Sequence, residues 1–179
     1  DVFVVNEMVA RGTVAHADYV YQRHKPEVWR SSHNRNDGNH YDWLKNNTEA
    51  VVFMQDEYPD VPMSLRFPLD AIIAAFPGAE HYFTTTVGYA LAYAIYAGYK
   101  RIEIYGVEME TNTEYAHQRP CVAYWCGVAY GRGIAVDFHS ENFFKSPLYG
   151  YDGDITIPLE TFEQRAKLLA EGAKKVLAE

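Results

Sequence analysis

The sequence predicts an α/β domain: a mostly parallel sheet with helices on both faces. Short apolar runs rich in β-branched and aromatic residues recur along the chain, and helical patterns separate most of them. Parallel strands need crossovers of a dozen or more residues, and the intervening helices supply that length. No internal repeat or second domain breaks the alternation, so residues 1–179 are expected to form one domain.

Each element has its own signal. The run "DVFVV" (1–5) reads as a strand, "ADYVYQ" (17–22) as a second, and "KPEVWR" (25–30) as a helical turn with Pro26 near its start. The stretch "SSHNRNDGNH" (31–40) is dense in turn formers and reads as a loop, ahead of a short helix at 41–47 and a third strand at 50–55. A proline-punctuated connection (57–63) leads to a helix at 68–76, with Pro68 suited to its first turn. The small-residue run "VGYALAYAIYAG" (87–98) predicts a helix that can approach a sheet closely, stopped by Gly98, and "RIEIYGV" (101–107) alternates as a strand does. Residues 114–133 are helical in pattern, but Pro120 cannot sit deep inside without breaking a hydrogen bond. Either a kink or a fresh start at Pro120 is expected. A last core strand (134–138), a loop (146–158) and an amphipathic helix (159–179) complete the prediction.

Composition sets bounds on function. Hydrophobic residues at 48% and charged residues at 22% suit a packed core, to which fifteen Tyr and nine Phe should contribute heavily. A formal net charge of −8 disfavours nucleic acid and anionic membrane as partners, although a local basic pocket is compatible with it. No apolar stretch is long enough to span a bilayer. Cys121 and Cys126 lie five apart on one expected helix and face different ways, so they should not pair, and a reducing cytoplasm is the expected setting. The abrupt opening at Asp1, without Met and directly into an apolar strand, suggests that preceding residues are missing from this sequence.

In a parallel α/β sheet, ligands bind at the carboxyl ends of the strands, which directs attention to the polar groups there. Thr84, Thr85 and Thr86 precede the small-residue helix; one could cap it, while all three could make an anion site with the helix N terminus. Glu108 and Glu110 follow the strand 101–107, where acids hold a ribose, a metal or a reacting proton, although solvated loop acids are common too. The segment "EYAHQRP" (114–120) gathers Tyr115, His117, Gln118 and Arg119, a possible base beside a phosphate clamp or simply a surface turn. Asn6 and Gln22 each follow an apolar strand, so both amides could reach the same end of the sheet. No zinc-type histidine pairing, no GxGxxG, no GxxxxGK[ST] and no GxSxG is present, and no metal site is read.

The segment "TTTVGYALAYAIYAGYKRIEIYGVEMETNTEYA" resembles the core signature of bacterial sialyltransferases of glycosyltransferase family 42. It is also similar to the related domains of motility accessory factors and of 6-hydroxymethylpterin pyrophosphokinase-like proteins. Phage-encoded proteins share the pattern "GYKxIxIYGVxM…EYAxQRP…YWxGxAxGRGI", and the likeness covers residues 84–134. The resemblance implies a Rossmann-like nucleotide-binding domain and a nucleotide or nucleotide-sugar ligand. It makes Asn6 and Gln22 amide contacts to the nucleotide, sets Thr85 and Thr86 near ribose or phosphate, and puts Glu108 where the family has an acid. Two departures are visible: Glu108 stands for the family's Asp, and Gln22 for a second Asn.

The resulting expectation is a transferase, glycosyl transfer ahead of pyrophosphoryl transfer. His117 or Glu108 would be its catalytic base, and Asn6, Gln22, Thr85, Thr86, Glu108, Tyr115 and Arg119 would hold the nucleotide. The sialyltransferase-like route needs no metal. The pyrophosphokinase-like route would need magnesium, held by Glu108 and Glu110. The alternative is a non-catalytic binding or sequestering protein with the same pocket. Neither nucleic acid nor a membrane span is expected, a homo-oligomer is compatible with the sequence, and a phage-encoded chain would work in the host cytoplasm.

Overall fold

The computed structural model describes residues 1–31, 39–109, 115–140 and 143, together with the helical residues 163, 164, 166, 167, 170 and 171. The chain divides into two compact units, Asp1–Phe143 and Phe144–Glu179. The described residues of the second unit are exposed. The expected loop at 146–158, and most of the expected loop at 31–40, lie outside the described residues.

The first unit is α/β, and every strand pairing among its described residues is parallel. Strands β1 (Phe3–Val5), β2 (Tyr19–Tyr21), β3 (Val51–Met54) and β4 (Ser64–Arg66) form one sheet in that spatial order. Strands β5 (Arg101–Ile104) and β6 (Ala135–Phe138) form a separate pair. The sequence led to one continuous sheet, and this is corrected: β1 and β5 are not hydrogen-bonded to each other. It also missed β4, because two prolines in "EYPDVPM" mask a strand that begins just past the second of them, at Ser64.

Among the described residues, six helices and helical turns connect the strands: α1 (Pro26–Trp29), α2 (Asn39–Asn46), α3 (Leu69–Ala75), a 3₁₀ turn (Ala79–His81), α4 (Thr86–Tyr96) and α5 (Tyr115–Gly131). Pro26 takes the first position of α1, where its missing N–H costs nothing. Gly98, at φ 84°, ends the α4 segment in a left-handed conformation that a side chain would strain. Pro120 lies inside α5, so the fresh start that was one of two expectations is not found; the helix begins earlier, at Tyr115.

Two apolar clusters cover the two faces of the four-stranded sheet. Tyr21, Phe53 and Phe67 pack with α4 and α5, while Val4, Val20, Val52 and Met54 pack with Trp29 and Leu44. The alternation along β1–β3 sends successive residues to opposite clusters. Much of the Tyr and Phe content is spent here, with Tyr93 4.7 Å from Phe53 and Tyr19 stacked on Phe53 at 5.6 Å.

Candidate functional site

At the carboxyl ends of β1, β2 and β5 the first unit has an open cavity of about 790 Å³. Asn6 enters it from β1, Arg23 and His24 from β2, and Gly106, Val107, Glu108 and Met109 from β5. Thr84, Thr85 and Thr86 close one side at the start of α4, and Gln118 reaches in from α5. The size suits a small organic ligand.

The start of α4 is open to a ligand. Thr85 is the N-cap, with extended backbone (φ −146°, ψ 146°), yet no side chain makes a capping hydrogen bond. Thr84 instead turns its hydroxyl to the carbonyl of His117 at 3.2 Å, which links the α4 start to the first turn of α5. Thr85 itself is 9% exposed. First-turn N–H groups without a side-chain cap, together with the helix dipole, favour an anion.

Arg23 supplies a fixed charge in the same cavity. Its guanidinium lies 4.5 Å from the Tyr89 ring centroid and 5.0 Å from that of Phe67, and one Nη donates to the Met54 carbonyl. Burial lowers its pKa from the usual arginine value, offset in part by Tyr89, and arginine stays protonated regardless. Its Nε is buried without a hydrogen-bond partner, as is Oδ1 of Asn6. Buried polar atoms without partners cost stability, and both of these belong to residues that line the cavity.

The backbone gives a second mark. The two non-glycine residues with positive φ among the described residues, Asn6 (53°) and Met109 (48°), both line this cavity. Asn tolerates that region; Met does so at a cost of about 1–3 kcal/mol. Strain of this kind concentrates where function fixes the backbone.

The residues singled out in the sequence therefore divide. Asn6, Thr85, Thr86 and Glu108 line one cavity. Gln22 lies apart from it, 2% exposed, with its carbonyl accepting from the His24 N–H at 3.1 Å and its amide 2.7 Å from His40 Nε2. The His117 side chain is exposed and outside the lining. Arg119 donates to the Phe143 carbonyl and lies over the Phe143 ring at 4.8 Å. Tyr115 begins α5, and Glu110 lies outside the described residues. Gln118 is the member of the EYAHQRP segment that reaches the cavity, while Arg23 and Met109 carried no expectation. A cation directly after a strand was the available signal for Arg23, and the amide beside it drew the attention.

Among the described residues no three His, Cys, Asp or Glu side chains gather as a metal-binding set, and no helix is long and apolar enough to cross a membrane. Comparison with family models, with curated proteins and with solved structures gives no match in any of the three.

Proposed function

We propose that this chain is a transferase of Rossmann-like fold that binds a nucleotide-activated donor, a nucleotide sugar by preference, in the cavity at the strand ends. One observation supports this above the rest: the cationic Arg23 lines the same cavity as the uncapped N terminus of α4. Both favour a phosphate. Asn6 contributes an amide for the base or ribose, and Glu108 is the general base, because it lines the cavity and the His117 side chain does not. As the donor's phosphate departs, Arg23 and the α4 amides stabilise the charge that develops.

A binding protein without turnover is the second reading. It is favoured by Arg119, which is engaged with Phe143 rather than with the cavity. Calorimetric titration with nucleoside monophosphates, nucleoside diphosphates and nucleotide sugars tests both readings. At least one class should bind, and Arg23→Ala should weaken it about tenfold or more, since a charge-assisted hydrogen bond is worth about 1.5–3 kcal/mol. Turnover of a labelled nucleotide sugar, lost in Glu108→Gln with binding retained, supports the transferase. Binding without turnover supports the sequestering protein. No binding at millimolar ligand sinks both.

A further inference from the structure

A second cavity, of about 640 Å³, lies between the two pieces of sheet and is lined by the whole of β1 and β5. Both strands run the same way past it. At one end the Tyr99 hydroxyl, just before β5, donates to the Asp1 carboxylate just before β1. At the other end, Val5 and Asn6 share the ligand cavity with Gly106 and Val107.

The ladders fix which backbone groups face this slot. The Val2 carbonyl accepts from the Tyr19 N–H, and the Asn6 N–H donates to the Tyr21 carbonyl, so even-numbered residues of β1 face β2. Backbone groups alternate sides along a strand, which turns those of Phe3 and Val5 to the slot. On β5 the carbonyls of Lys100 and Ile104 accept from Ala135 and His139, which turns Arg101 and Glu103 to the slot. Two rows of donors and acceptors thus look at each other across an apolar gap. The lining is mostly apolar: α4 contributes Ala90, Leu91 and Ala94, and Met8 and Val14 line it from the segment after β1, while Arg101 and Glu103 of β5 border it with exposed, ion-paired side chains.

We infer that the slot is the seat of a parallel β-strand, an extended polypeptide segment of four to five residues that hydrogen-bonds to β1 on one side and β5 on the other. An acyl chain would satisfy the apolar walls but neither row of backbone groups, and each unpaired group costs free energy. A strand satisfies both. Its side chains toward α4 are apolar, whereas the face on which Arg101 and Glu103 of β5 are exposed admits polar ones. Its insertion joins the two pieces into one parallel sheet in the order β4-β3-β2-β1-strand-β5-β6. The small residues Ala90 and Ala94 on α4 leave room for its side chains.

Amide hydrogen exchange of the 179-residue chain, read residue by residue, tests this. Alone, the amides of Phe3, Val5, Arg101 and Glu103 should exchange at least tenfold faster than those of Val4 and Ile102, which are paired in the ladders. A soluble probe, a Val/Ile-rich five-residue peptide flanked by lysines, should slow the four slot amides at least tenfold. The same peptide with a central proline should not, which keeps the test independent of whether any variant of the chain folds. Ala90→Trp, filling the slot from α4, should abolish the protection. Slow exchange of the four amides in the chain alone would overturn the inference, because the slot would then be closed or filled. So would protection by the proline peptide, by dodecanoate to the same degree, or by concentration alone with a dimer in sedimentation, which would assign the slot to a second copy.

Discussion

Arg23 and Gln22 are neighbours in sequence and have opposite fates. Gln22 turns into the protein: its side-chain carbonyl is taken by the His24 N–H, which leaves its amide N–H to meet His40 Nε2 at 2.7 Å. Arg23 turns to the cavity. Gln22→Ala should therefore cost about 1–3 kcal/mol in denaturant unfolding, the penalty for orphaned buried groups, with nucleotide affinity unchanged. Weakened affinity at constant stability would return Gln22 to the site. The cysteines make a second residue-scale test. Burial raises both thiols, Cys126 to about 12, and Cys121 is further engaged with the Tyr82 carbonyl at 3.0 Å. At pH 8 the thiolate fraction is negligible, and iodoacetamide should label neither until the chain unfolds. Labelling of folded protein within minutes would contradict the burial. Asn6, Thr85, Thr86 and Glu108 were legible because they follow a strand or open a helix. Arg23 was not, since which of two adjacent residues faces a cavity depends on where the strand ends.

Among elements, α4 was readable from composition alone, and the structure shows what its small residues are for. A Cβ built on Gly88 would fall inside van der Waals contact with Cys121 Sγ of α5, beside Trp125. Gly88 thus sets the approach of α4 and α5, and through it the join between the Thr84 turn and α5. Gly88→Ala should destabilise by about 1–3 kcal/mol through overpacking, and Cys121→Ala should recover part of that loss in the double variant. Additive losses would show that the two positions do not meet. Asp60 ties α1 and α2 to the loop before β4, accepting from Arg30 at 2.8 Å and Tyr41 at 2.7 Å. The Tyr41 hydroxyl and then Arg30 hold its carboxyl below the ordinary aspartate range. A depressed folded pKa contributes stability above the unfolded value near 3.8 that is lost as pH falls through the folded one. Asp60→Asn should lower the melting temperature at pH 7 and flatten its fall below pH 4. An unchanged acid slope would remove Asp60 from the account. The sequence could not announce this pair, because Arg30 and Asp60 are thirty residues apart.

At the scale of the whole molecule, an acidic chain is proposed to hold an anionic ligand. The sequence showed the net charge of −8 but not its distribution, nor the split between the sheet pieces, because both arise from chain crossings that no local pattern encodes. The two electrostatic terms differ in range. Attraction to Arg23 and the α4 N terminus acts inside a cavity, over a few ångströms, where salt screens weakly. Repulsion by the whole chain acts at a distance, and a Debye length of about 8 Å at physiological ionic strength removes most of it. Association of a nucleotide should therefore speed up as salt rises from about 10 to 150 mM, while dissociation changes little. Stopped-flow fluorescence, using the three Trp residues as reporters, measures both rates. In Arg23→Ala the dissociation rate should rise about tenfold or more and the salt dependence of association should keep its sign, because the long-range field is almost unaltered. An association rate that falls with salt in the unaltered chain would mean that a wider basic surface guides the ligand, and the cavity-confined charge would no longer explain binding.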